Sequence, residues 1–383
     1  MIGSSAKRVI VLGGGVAGLT AACSIQEWAS VVVLERESQI GYHASGRSAA
    51  LFSETYGNAV VRALSLASRE ALQAGGFFQA RRGAMHFGGL SDGGAIERFA
   101  EETSALQPDV VRLSSSEVAE LVPAIYAERT CGGVLEPNAM DIDTDKVLQT
   151  HAAKFRSQGG VIRTGEEALS IESVGGTLRV ATLTDAYDAD FIVNACGAWA
   201  DVAAERAGLE CLGLMPKRRT AFIFDAPTFD TRHWPLMVAL HESFYFKPDA
   251  GRMIGSLADE TDSPPCDAYP DDMDVALAVH RIEEATKLRI SRPHTPWAGL
   301  RTFAPDRTPV VGFDPRMPGF FCLAGQGGYG FQVSLALARL TSALLQSRPM
   351  PDDIAALNVN LAALAPDRFL AASQTPVSAE TSC

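Results

Sequence analysis

Four apolar residues, Val9, Ile10, Val11 and Leu12, run straight into Gly13-Gly14-Gly15-Val16-Ala17-Gly18, and a second apolar run, 31–34, ends at Glu35. No other feature constrains the fold as strongly. Continuous apolar runs are the pattern of strands buried on both faces of a parallel sheet. The segment 19–28 between them, rich in small residues, reads as a helix, so about 30 residues form one strand–helix–strand unit. Each glycine has a physical duty at a dinucleotide. Gly13 permits the tight turn, Gly15 lets the backbone approach a pyrophosphate, and Gly18 lets helix and strand pack closely. The helix N-terminus offers N–H groups to phosphate, with Val16 and Ala17 in the turn that leads into it also expected at the cofactor. Glu35, 22 positions after Gly13, is placed to accept from the adenosine ribose hydroxyls, with Arg36 beside it. The alternative is a glycine-rich turn in some other α/β protein.

Both NAD and FAD satisfy this pattern. Two features favour FAD. The motif stands at the start of the sequence, and a second strand–glycine–helix unit lies at 324–335. A long flavin dinucleotide needs a second anchoring point, which a glycine-rich helix start supplies.

Along the chain, helices are expected at 58–73, 146–158, 274–286 and 333–345, with another start at Ser114. Strands are expected near 82–89, 161, 171, 178–183, 191–195, 222–224, 243–247 and 320–324. The 383 residues carry 33 Lys and Arg against 45 Asp and Glu, a net charge of −12. That balance argues against a protein that tracks nucleic-acid phosphates or clings to anionic lipid. No window approaches the ~18 uncharged apolar residues of a membrane span. The start is read as a strand rather than a signal peptide, and a cytoplasmic location is expected. Seven scattered cysteines without a Cys-x-x-Cys pair, and dispersed histidines, point to neither a disulfide framework nor a metal site.

Four segments, in order and spanning nearly the whole chain, resemble the FAD-dependent D-amino-acid oxidase superfamily. They are 13–18 with Glu35; 41–50 (GYHASGRSAA); 194–199 (NACGAW); and 299–312 with the glycine-rich 325–330. The resemblance implies non-covalent FAD and an α/β protein. It would have a discontinuous Rossmann-like FAD domain (1–82, 141–215, 296–370) and a substrate domain with a mainly antiparallel sheet (83–140, 216–295). The tail 371–383 is expected to be frayed. The implied cofactor residues, besides those already named, are Ser45, Gly46, Arg47, Ser48, Ala49, Ala195, Gly197, Trp199, Arg301, Gly327, Gly328, Tyr329, Gly330, Phe331 and Gln332.

Within that superfamily the segments 41–50, 217–222, 242–245, 297–301 and 326–330 most resemble bacterial D-arginine dehydrogenases. That likeness implies a carboxylate clamp of Arg219 and Arg301, with Tyr56 and Tyr245 lining the pocket. A fixed bidentate donor is what an α-carboxylate needs, and arginine supplies it better than lysine. The bland readings are a solvated charged face for Arg219 in 217–219, a surface position for Arg301 and sheet packing for the tyrosines. His43 reads as a loop-fastening residue, Cys322 as a core thiol, and Met85 and Met237 as packing. Two positions depart from the D-arginine pattern: Ala84 stands where an acid would hold a guanidinium, and Leu51 stands where a histidine is found. An unpaired guanidinium is costly to bury, by several kcal/mol, so a neutral, apolar or aromatic side chain is expected instead.

The implied reaction is oxidation of a D-amino acid to an imino acid by hydride transfer to flavin N5. Hydrolysis to a 2-oxo acid and ammonia follows. No general base is identified, and quinone and oxygen both stand as electron acceptors. The alternatives are oxidation of a sarcosine- or proline-like secondary amine or of a 2-hydroxy acid, and a flavin-binding assembly factor without turnover.

Overall fold

The computed structural model describes residues 7–49 and 51–370; Ala50 and the tail 371–383, expected to be frayed, lie outside the described residues. The expected first unit forms. Lys7–Leu12 pairs in parallel with Ala29–Glu35 on one side and Phe191–Asn194 on the other. Val161–Thr164 and Phe320–Ala324 extend the sheet in parallel, and Val310–Phe313 closes one edge antiparallel, giving six strands.

Alternation along each strand decides what covers the two faces. Val9, Val11, Val31 and Val33 are buried under helices Val16–Ile25, Ala59–Ala74 and Gly330–Leu345, through residues such as Ala21, Leu64, Val333 and Leu337. Ile10, Leu12 and Ile192 face the antiparallel strands Ser170–Val174, Thr177–Ala181 and Ala186–Ala189, with helix Ala200–Arg206 beside them. Each large apolar side chain fully buried here contributes about 1.5–3 kcal/mol.

Two helices begin three residues earlier than expected, at Val16 and Gly330, because each glycine turn feeds directly into the first helical turn. Other starts follow side-chain caps: the Asn58, Asp143 and Asp271 side chains accept from Val61, Lys146 and Met273 amides. Ser114 and Glu117 form a capping box. The helix Gly93–Leu106 has no counterpart in the expected elements.

The second large sheet has nine strands and is antiparallel except where Leu236–Ala239 runs parallel to Ala84–Gly89. The expected boundary at 296 falls inside the strand His294–Phe303. That strand is hydrogen-bonded into this second sheet, along Met215–Phe224. Helix Asp272–Ala285 covers its outer face through Val275, Ala278 and Ile282. Among the described residues, no helix is long and apolar enough to cross a membrane.

Candidate active site

One cavity of about 360 Å³ runs between the carboxyl ends of the parallel strands and the inner face of the nine-stranded sheet. Its first end is made of backbone. Gly13 has φ +102°, and a Cβ there would stand 2.5 Å from the Ala195 carbonyl oxygen. A Cβ on Gly18 would stand 1.9 Å from the Gly13 carbonyl oxygen, so the helix approaches the end of the strand this closely only because Gly18 lacks a side chain.

The Gly14 amide donates to Glu35 Oε2 at 2.7 Å and the Glu37 amide to Oε1 at 2.9 Å. Burial pushes the Glu35 carboxyl up, and these two amides work against that shift. Ser45 Oγ accepts from the Val16 amide at 3.0 Å. The helix has no side-chain cap and no acid in its first turn, so its positive end is open to an anion. These features fit a dinucleotide pyrophosphate with an acid for the ribose.

Around this end, the Arg36 guanidinium lies 4.7 Å from the Trp199 ring centre, and the His43 ring lies 4.4 Å from it. His43 also bonds Glu37 at 2.8 Å, which fastens the loop. Ala195, Gly197, Ser48 and Ala49 line the cavity, as do Gly327, Gly328, Gly330 and Phe331 at the start of the last long helix. Arg47 lines it too, but its donors are taken by the carbonyls of Tyr42, Ala268 and Ala298 and by Asp267.

Four expected cofactor residues do not line this cavity. Gly18 is a helix–strand contact, and the Gly46 amide closes a turn onto the Gly41 carbonyl at 2.7 Å. Gln332 is buried, bonding the Ser53 amide and Ser65 Oγ. Tyr329 packs between Tyr56 and Phe303 and lines a neighbouring cavity of about 400 Å³.

The other end is a sheet face. Strand alternation sends Arg219 and Ala221, Tyr245 and Lys247, Leu236 and Val238, Ala84 and His86, and Gly299 and Arg301 to the same side, and all line the cavity. Alternation turns Arg218 to the other face, where it pairs with Asp274 at 2.7 Å under the outer helix; of the two residues left on the cavity side, Lys217 pairs with Asp262 and Arg219 lines the cavity. The Arg219 and Arg301 side chains are each 14% exposed.

Arg301 Nη2 donates to the Tyr56 hydroxyl at 2.7 Å, and Arg219 Nε donates to the Asp259 carbonyl at 2.8 Å. The Arg219 guanidinium lies 6.0 Å from the Tyr245 ring centre. A Cβ on Gly328 would fall 1.7 Å from Arg301 Nη2, so that glycine makes room for the guanidinium. Among the described residues, two buried nitrogens, Arg219 Nη2 and Arg301 Nη1, find no hydrogen-bond partner. The structure thus brings together all four residues expected to contact substrate, Arg219, Tyr245, Arg301 and Tyr56.

Several cavity residues are absent from the sequence expectations. Glu166, Glu167 and Arg206 stand at the Glu35 end. Sheet order is the signal that points to them, since Glu166 follows the strand paired beside Glu35 and its amide donates to the Glu35 carbonyl. At the sheet end, His86 packs on Phe99, and burial pushes its imidazole down to about 4. Lys247 is buried and bonds Asp141 at 2.9 Å, a carboxylate that Arg82 also holds at 2.7 Å. Met85 and Met237 are fully buried in the sheet core, as expected, and so is Cys322 in its strand, its thiol pushed up to about 12 by burial.

A family model described as FAD dependent oxidoreductase matches residues 8–344. A D-amino acid dehydrogenase of Sinorhizobium medicae (strain WSM419) is 24% identical over 272 residues, 67% of this chain and 62% of that protein. The chain therefore matches a little under two thirds of that relative's length. Among solved structures, glycine oxidase from Geobacillus kaustophilus superposes with a TM-score of 0.78 at 20% identity, covering 90% of this chain and 96% of that one. L-proline dehydrogenase from P. horikoshii gives 0.81 at 19% identity, with 96% and 98% covered.

Proposed function

The chain belongs to the FAD-dependent oxidoreductase family, and from that premise we propose that it oxidises D-amino acids with neutral side chains to imino acids, which water hydrolyses to 2-oxo acids and ammonia. The observation that carries this reading is the pair of buried guanidinium groups on adjacent strands, Arg219 and Arg301, both facing the cavity. They would hold the α-carboxylate, with the Tyr56 hydroxyl fixing Arg301 and Tyr245 flanking Arg219.

The glycine end would hold FAD non-covalently, through the first helix start, Glu35 and the last helix start. Burial pushes the cavity-lining Cys196 thiol up to about 12, which keeps it from being a nucleophile toward the flavin. FAD supplies the hydride acceptor when bound. The substrate amine must be neutral to release hydride, since an ammonium has no lone pair to offer. Burial lowers the basicity of the His86 imidazole, and solvent or the substrate's own equilibrium would supply the neutral amine. Ala84, Leu236, Val238 and Leu51 make an apolar wall for the side chain, with Lys247 already paired to Asp141. Those four positions carry no acid, which favours a neutral side chain; Glu242, between the strands of Val238 and Tyr245, also lines the cavity, and oxidation of D-arginine would require it to meet the guanidinium.

The test is anaerobic mixing of the flavin-loaded protein with matched D- and L-amino acids while flavin absorbance is followed. Bleaching by D-leucine, D-methionine or D-phenylalanine, but not by the L-forms, supports the reading. Bleaching only by sarcosine, proline or a 2-hydroxy acid overturns it in favour of those substrates. Bleaching chiefly by D-arginine overturns the side-chain assignment.

A further inference from the structure

We infer that Glu260, pinned by Arg307, is a positioning residue that aligns Arg219 and Arg301 as one clamp, an assignment that rests on the proposed carboxylate-binding function. Glu260 directly precedes the short strand Thr261–Asp262, which pairs with the strand of Arg219. Arg307 stands in the turn after the strand of Arg301, with φ +60°. The two meet in a bidentate pair, Nη1 to Oε2 and Nη2 to Oε1, both at 2.9 Å. The Arg307 guanidinium is further fixed over the Phe303 ring at 4.0 Å. This geometry sets Glu260 Oε1 at 3.5 Å from Arg219 Nη2 and 3.5 Å from Arg301 Nη1, the two buried nitrogens that have no hydrogen bond.

The electrostatics explain why an anion belongs there. Two guanidinium groups facing one cavity repel each other, and among the described residues each has a single hydrogen bond to fix it, to the Asp259 carbonyl or the Tyr56 hydroxyl. One carboxylate behind both offsets that repulsion. Burial would push the Glu260 carboxyl up, but Arg307, Arg301 and Arg219 outweigh it and hold it below its usual range. Three cations around one anion still leave the clamp positive, so a substrate carboxylate is attracted. Glu260 itself is not on the cavity wall, and it acts through the arginines. The bidentate pair matters because it takes up the carboxylate's freedom: a loose glutamate would follow either arginine rather than hold both.

The experiment is steady-state kinetics of the holoenzyme with its best amino acid, comparing Glu260→Ala, Glu260→Gln and Arg307→Met. Loss of alignment raises KM about tenfold in Glu260→Ala and in Arg307→Met, with kcat within about twofold and flavin content unchanged. Glu260→Gln, which keeps an oxygen in place, recovers part of the loss. An unchanged or lowered KM in either Glu260→Ala or Arg307→Met with full flavin overturns the assignment. So does a fall in kcat without a rise in KM. A wild-type holoenzyme that oxidises no carboxylate-bearing amine overturns the proposed function instead, so the two failures are distinguishable.

Discussion

The cavity wall around Gly13, Gly15 and Ala195 is backbone, whereas the wall around Arg219, Tyr245 and Arg301 is side chains standing on a sheet face. The two ends therefore tolerate change differently. At the first, the shape exists because Gly13 lacks a Cβ, and restoring one there collides with the Ala195 main chain. At the second, the sheet persists whichever side chains it carries, and substitution alters chemistry rather than architecture. On the proposed function, folding and cofactor retention would belong to one end and substrate choice to the other.

The largest expected effect breaks the first end. Gly13→Val puts a branched side chain at φ +102° against the Ala195 carbonyl, and the strain of several kcal/mol should leave little folded, flavin-bearing protein. Flavin-to-protein ratio and thermal unfolding check it. Next, Arg219→Ala should raise KM for the amino acid by about 100-fold, as expected when one member of a buried charge pair is removed, with flavin content unchanged. Together the pair sharpen the contrast; a flavin loss in Arg219→Ala would blur it.

Smaller still, Tyr56→Phe removes the 2.7 Å bond to Arg301, worth about 1 kcal/mol, so substrate affinity should weaken about fivefold in kinetic assays. The smallest is a pH effect on the sheet end. Burial lowers His86 from 6.5 to about 4, so between those values the unfolded chain binds a proton that the native chain does not. Stability therefore falls as pH drops through that window. His86→Gln should flatten this part of the stability–pH curve measured by denaturant unfolding, leaving activity at neutral pH within a few-fold.

The same contrast explains what was legible in the sequence. Backbone-built features leave a residue-type signature, because only glycine satisfies them; Gly13 and Gly18, and Glu35 at the end of the next strand, stand out for that reason. Side-chain chemistry on a sheet leaves none. Nothing in the run 217–219 tells which arginine turns inward until the pairing with Gly299 and Arg301 is known. Arg219 was reached through resemblance, and Glu260 not at all, since its role depends on three arginines from two strands and a turn. Apolar periodicity sets in three residues after the helix begins at both glycine motifs, because the backbone turn feeds straight into the first helical turn. Gly46, Tyr329 and Gln332 were drawn to the cofactor by their neighbours in sequence, while their contacts are internal to the scaffold.

The most direct test of the division between the two ends is Arg301→Ala, measured twice on one preparation: flavin bound per chain, and the rate of anaerobic reduction by a saturating neutral D-amino acid. Full flavin and a reduction rate at least about 100-fold below wild type are expected. Reduction at the wild-type rate, or loss of flavin together with activity, would contradict that division.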